Sequence, residues 1–187
     1  MHADLQRSVD ELVTTSNAIF ALAAPLSSTE FNWRSAPDRW SIGQCIDHLA
    51  TTNGRMLPLL ERAVAKSRAA GRFSDGPFRY GWISRWFLAE TGPGGGRASA
   101  PSRYLPSLSE LAPGPTLERY KNGLDRLVSA AHKADGLDLG RVRVPSAALP
   151  ILRLPLGIWF LSLSAHGARH LNQGRAVRAL PEFGTMG

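Results

Sequence analysis

The chain of 187 residues contains one cysteine, Cys45. A lone thiol excludes an internal disulfide framework and fits a reducing compartment, so the expected location is cytoplasmic. Long apolar runs are missing too: the most apolar stretch, 151–163, is interrupted by Arg153 and Pro155 and is too short to cross a bilayer. Met1 to Arg7 lack the apolar core of a secretory signal. No internal repeat and no dense basic run occur. The net charge is +7, but its arginines, among them Arg7, Arg34, Arg55, Arg72, Arg85, Arg119, Arg141 and Arg175, are scattered. That pattern describes a solvated surface rather than a nucleic-acid groove. Neither nucleic acid nor membrane is an expected partner.

Hydrophobic residues make up 43% of the chain, enough for one domain, 1–187, with a real core. Apolar residues recur at three-and-four spacing in four places, which predicts helices over about 4–24, 41–70, 116–134 and 155–179. Ser41 and Gln44 form a capping-box pattern at the start of the second helix, with Trp40 in the position of a hydrophobic staple. Pro58 should break or kink that helix. The linker before it should be packed down by Phe31 and Trp33. Residues 71–115 change character. They are rich in Gly, Pro and Ser, and interleave Phe73, Phe78, Tyr80, Trp82, Trp86 and Phe87. They read as an irregular crossover lying over the bundle, with a short helix near 83–89. A connection of that length lets the second and third helices run parallel. The stretch 137–154 reads as irregular. The expected fold class is all-α, a four-helix bundle with a long crossover between helices 2 and 3.

The fourth helix carries the chemistry. Its stripe runs Leu156, Trp159, Phe160, Leu163, Gly167, Leu171, Gly174, Val177. His166 and His170, four apart, stack on one face beside it. Two imidazoles one turn apart can chelate a divalent ion with a nitrogen from each at about 2.0–2.1 Å. The pair alone fits equally well with two polar residues near a core. His48, on the flank of the second helix stripe, supplies a third neutral nitrogen from another helix. Three histidines would leave a coordination position open, as catalytic rather than structural sites do.

Trp40-Ser41-Ile-Gly-Gln-Cys-Ile-Asp-His48-Leu49 resembles the second-helix motif of the DinB-like (YfiT-like) superfamily. Ala165-His166-Gly-Ala-Arg-His170-Leu-Asn-Gln173 resembles its fourth-helix motif, and Phe78-Arg-Tyr-Gly81 is similar to its crossover. The resemblance runs from the first helix to Phe183. It implies a four-helix bundle, often dimeric, with one divalent metal, zinc or nickel, on His48, His166 and His170. It also implies a metal-dependent enzyme with a small-molecule substrate. This would be a transferase using a low-molecular-weight thiol such as bacillithiol or mycothiol, or a hydrolase. The alternative is a non-catalytic bundle that binds metal or a protein partner. The sequence shows no convincing general base.

Several neighbours invite plainer readings. Cys45 could approach as a fourth ligand, but reads better as a small buried residue. Gln44 and Gln173 could hydrogen-bond a ligand or simply cap a helix. Arg169 reads as solvated rather than as an anion contact. Trp40, Trp159 and the crossover aromatics read as core, although Tyr80, Trp82 or Trp86 could wall a pocket. His2 and His132 lie off the pattern and receive no role.

Overall fold

The computed structural model describes residues 1–96, 102–107 and 109–184. Residues 97–101 and 108 of the expected crossover, and 185–187 of the expected domain, lie outside the described residues. In chain order the elements are α1 (Ala3–Ala23), α2 (Ser28–Asn32), α3 (Ile42–Ala69), α4 (Trp82–Thr91), a single 3-10 turn (Ser102–Tyr104), α5 (Pro113–Ala134), β1 (Arg143–Pro145), β2 (Arg153–Pro155) and α6 (Leu156–Arg178). The four long helices α1, α3, α5 and α6 are those the periodicity predicts. Their neighbours around the bundle run α1, α6, α3, α5 and back to α1.

Side-chain contacts fix the directions. Asp47 meets Arg119, Glu61 meets Arg126, and Arg68 reaches the Lys133 carbonyl, so α3 and α5 run parallel as expected. Glu11 meets Ser164, and Leu22 lies against Gly174, so α1 and α6 are also parallel. Ile42 lies beside Gly174 while His48 lies beside His166, so α3 and α6 are antiparallel. Gly167 and Gly174 sit seven apart on the α6 face that meets α1. A Cβ there would stand 3.4 Å from Thr15 and 3.1 Å from Leu22. Small residues at these points set how closely the two helices approach.

Local chemistry explains the ends. At α3, Ser41 Oγ accepts from the Gln44 N–H at 3.0 Å and Gln44 Oε1 accepts from the Ser41 N–H at 3.1 Å, completing the capping box. Of the break or kink expected at Pro58, the break does not occur: α3 runs through it as one helix. Pro58 and Gly54, whose carbonyl the ring deprives of its partner, are both exposed, so water can satisfy the freed group.

Phe31 and Trp33 pack the linker down as expected, and its residues Ser28–Asn32 also form α2, with its own capping box from Ser27 to Glu30. Two expectations are corrected. The stretch 137–154 is not irregular throughout, because β1 and β2 pair as an antiparallel hairpin, with Val144 opposite Leu154. Val142, Val144 and Leu154 are buried while Arg143 and Arg153 point to solvent, the alternation of a half-buried strand. The hairpin and α4 cover the outer side of α6, which is why every residue from Leu156 to Ser164 is buried instead of one stripe.

The crossover aromatics divide. Phe78, Tyr80 and Phe87 pack on the core, and Phe87 meets Trp159 edge-on. Tyr80 also donates to Asp4 at 2.8 Å. Phe73, Trp82 and Trp86 are exposed and do not join the core.

A close approach of α2 to α3 makes a test. A Cβ at Gly43 would lie 2.5 Å from the Phe31 ring and 2.9 Å from its carbonyl oxygen, whereas one at Gly54 would meet nothing within 4 Å. Gly43→Ala should lower stability by about 1–3 kcal/mol through overpacking. Gly54→Ala should gain up to about 1 kcal/mol from helix propensity alone. Denaturant unfolding of the two variants checks this; a gain in both would contradict the packing described.

Candidate metal centre

His48 comes from the second turn of α3, and His166 and His170 from the middle of α6. One ring nitrogen of each lies within 4.8 Å of the others, a group of three histidines able to hold a metal ion. His48 Nε2 and His166 Nε2 are 3.1 Å apart. The antiparallel crossing of α3 and α6 creates this convergence. Ring centroids of the three pairs lie 4.6–5.2 Å apart.

The outer nitrogens decide what the inner ones can do. His48 Nδ1 lies 2.6 Å from the Tyr104 carbonyl oxygen. A carbonyl only accepts, so His48 carries its proton on Nδ1 and turns a bare Nε2 toward the cluster. His170 Nδ1 lies 3.1 Å from Gln173 Oε1 and is held the same way. Gln173 thus takes the ligand-holding role its position allowed. His166 Nδ1 is buried and has no hydrogen-bond partner, although the Thr91 carbonyl faces that ring. Without a cation, His166 must keep its proton on Nε2 to bridge to His48. Were His166 to bind a cation through Nε2, that proton would sit on Nδ1. Three neutral nitrogens, two with fixed outer protons and the third with an orphaned outer atom, fit a borderline divalent ion.

All three rings are held neutral. Burial pushes His48 below the usual imidazole range, against the opposing pull of the Tyr104 carbonyl and the Asp47 charge. Burial, with His48 and Arg169 close by, pushes His166 down to about 3. Burial and the two neighbouring rings push His170 down to about 2. Trp40 is partly buried beside the cluster. It stacks on His170 at 5.6 Å with an interplanar angle of 13°, and tilts over His48 at 5.0 Å. The expectation that Trp40 is simply core is therefore corrected: it walls two of the three rings.

The remaining candidates separate cleanly. Cys45 lies outside the histidine group, and burial raises its thiol to about 12, so it is the small apolar residue expected. Arg169 is not solvated: it donates to the Glu90 carbonyl at 2.8 Å and the Gly96 carbonyl at 2.6 Å, pinning the end of α4 and the loop beyond it. His2 has a structural role, capping α1 by accepting from the Asp4 N–H at 3.2 Å. His132 is exposed and outside the cluster. Sequence reasoning missed the Tyr104 carbonyl, because a backbone acceptor has no residue signature. It also missed the Asp47–Arg119 ion pair, although Asp47 is adjacent to His48.

A profile of the DinB superfamily matches residues 11–173, most of the chain and all three histidines. Neither the curated proteins nor the solved structures give a significant match.

The neutral rings make stability depend on pH. In the fold His48 is lowered, His166 lowered to about 3 and His170 to about 2, whereas in the unfolded chain these imidazoles titrate near the ordinary value of 6.5. Their contribution is complete above that value and is lost as pH falls through it, because only the unfolded chain takes up the protons. The thermal midpoint of metal-free protein should therefore fall from about pH 7 to about pH 5. The double variant His166→Gln, His170→Gln should show a shallower fall. Parallel profiles for the two proteins would refute this account.

Proposed function

The chain belongs to the DinB superfamily, and on that footing we propose that it is a metal-dependent enzyme that transfers a low-molecular-weight thiol to a small electrophile. His48, His166 and His170 would hold the ion, zinc or nickel. One observation carries the reading: three imidazoles from two helices converge with inner nitrogens within 4.8 Å of one another, and the outer nitrogens of two are tied to acceptors. A divalent ion on three uncharged ligands supplies an uncompensated double charge at an open position, which lowers the pKa of a thiol or of water toward neutrality. Hydrolysis is the second chemistry the same residues support.

The chain's own residues do the orienting. The Tyr104 carbonyl and the Gln173 amide oxygen hold the protons of His48 and His170 on their outer nitrogens. Trp40 covers the faces of those rings and shields them from water on that side. Among the described residues the histidine group contains no carboxylate. The Asp47 carboxylate already accepts from Arg119 and from the Ser107 N–H. A nucleophile that brings its own acidic proton, as a thiol does, suits such a site. A homodimer belongs to the same reading, as the family resemblance implies.

Elemental analysis of protein purified without an affinity tag should find about one zinc or nickel per chain, and His166→Ala should lose it. Conjugation of a test electrophile by cell thiols should proceed with wild type and stop with chelator or with that variant. Near-zero metal in both proteins would overturn the reading. Metal without conjugation or hydrolysis would leave a binding bundle.

A further inference from the structure

Three polar residues on one face of α3, Gln44, Asp47 and His48, all reach the same short piece of the crossover. His48 Nδ1 donates to the Tyr104 carbonyl at 2.6 Å. Asp47 Oδ2 accepts from the Ser107 N–H at 3.1 Å, and Gln44 Nε2 donates to the Ser107 carbonyl at 3.0 Å. Both polar groups of the Ser107 backbone are thus held by α3. The other Asp47 oxygen accepts from Arg119 of α5, so the carboxylate is fixed from two directions. Asp47 is buried, and a buried carboxylate is retained at a cost unless its hydrogen bonds are all made.

The segment between these anchors has little slack. Tyr104 is buried, with the Arg55 guanidinium 5.3 Å above its ring, and closes a turn in which the Leu105 N–H reaches the Ser102 carbonyl at 3.1 Å. Pro106 is buried and its ring fixes one backbone angle between Tyr104 and Ser107. Holding Ser107 therefore limits where the Tyr104 carbonyl can point.

We propose that Asp47, assisted by Gln44 and Arg119, is a positioning residue for the histidine cluster. It holds Ser107, Ser107 holds the Tyr104 carbonyl against His48, and that carbonyl keeps the His48 proton on Nδ1, leaving Nε2 free to bind. The inference rests on the metal reading for its functional meaning, but not for its first measurement. Of the two α3 residues on Ser107, Asp47 is the one to change, because Gln44 also closes the capping box and its loss would disturb the helix start.

The test uses full-length protein as wild type, Asp47→Ala, Asp47→Asn and Arg126→Ala. The last removes an exposed ion pair between the same two helices and leaves the crossover untouched. Nitrogen–proton correlation spectra of the imidazoles, taken without metal, should show His48 as the Nδ1–H tautomer in wild type and in Arg126→Ala. Asp47→Ala should show a mixture of tautomers. Asp47→Asn, which keeps an oxygen to accept from Ser107, should restore the Nδ1–H form. Zinc affinity by competition with a chromophoric chelator should weaken about 10–100-fold in Asp47→Ala and recover in Asp47→Asn. An Asp47→Ala protein that melts lower but keeps the wild-type tautomer and zinc affinity would overturn the proposal. Should wild type bind no zinc while the tautomers shift as described, the metal reading falls and the positioning role stands.

Discussion

Imidazoles brought together at a helix seam can turn a bare nitrogen inward only where the outer nitrogen finds an acceptor, as those of His48 and His170 do. That constraint governs the architecture around them. A helix pair alone cannot satisfy it, because the carbonyls of α3 and α6 are already committed to their own ladders. The acceptors must come from elsewhere: a side chain one turn away for His170, and the backbone of a non-helical segment for His48. The site therefore needs the crossover as much as it needs the helices.

The topology puts that crossover where it is wanted. Parallel α3 and α5 oblige the chain to return along the whole bundle between Ala69 and Pro113, a climb of about 40 Å for a helix the length of α3. The returning chain contributes α4, which covers α6, and then passes the histidines just before α5 begins. Residues next to the ligands tie it down. Arg169, beside His170, takes the Glu90 and Gly96 carbonyls; Asp47, beside His48, takes the Ser107 N–H. On both helices, then, a residue next to a clustered histidine holds the segment that packs over the cluster.

How much of this is visible in the residues follows from what has a periodic or chemical signature. The four long helices are plain because their stripes repeat over five or more turns. The His48, His166, His170 convergence is legible because imidazole is scarce in this chain, with five copies, and two of them sit at chelating spacing. The hairpin is hidden because each strand is three residues long, too short for alternation to stand out. α2 is hidden because its five residues, Ser28–Asn32, show no repeat; only the Ser27 and Glu30 capping pair marks it. The place of Trp40 before a helix cap says nothing about the second helix that its ring meets. The all-round burial of α6 likewise depends on what covers it, and α4 and the hairpin come from distant parts of the chain.

Charge closes the argument about chemistry. The cluster contributes no negative ligand, so on the proposed reading a divalent ion would keep its full charge inside a protein that already carries +7. Of the nearby cations, Arg119 is paired with Asp47, and Arg169 donates to two backbone carbonyls while keeping its charge. On that reading, what would reach a solute is the ion itself, with the Arg169 charge and the diffuse positive field of the exterior. All favour a small anion or an acid that becomes one on arrival, and all disfavour a cationic substrate. A low-molecular-weight thiol, the nucleophile proposed above, would meet that description at its reactive end once it has given up its proton.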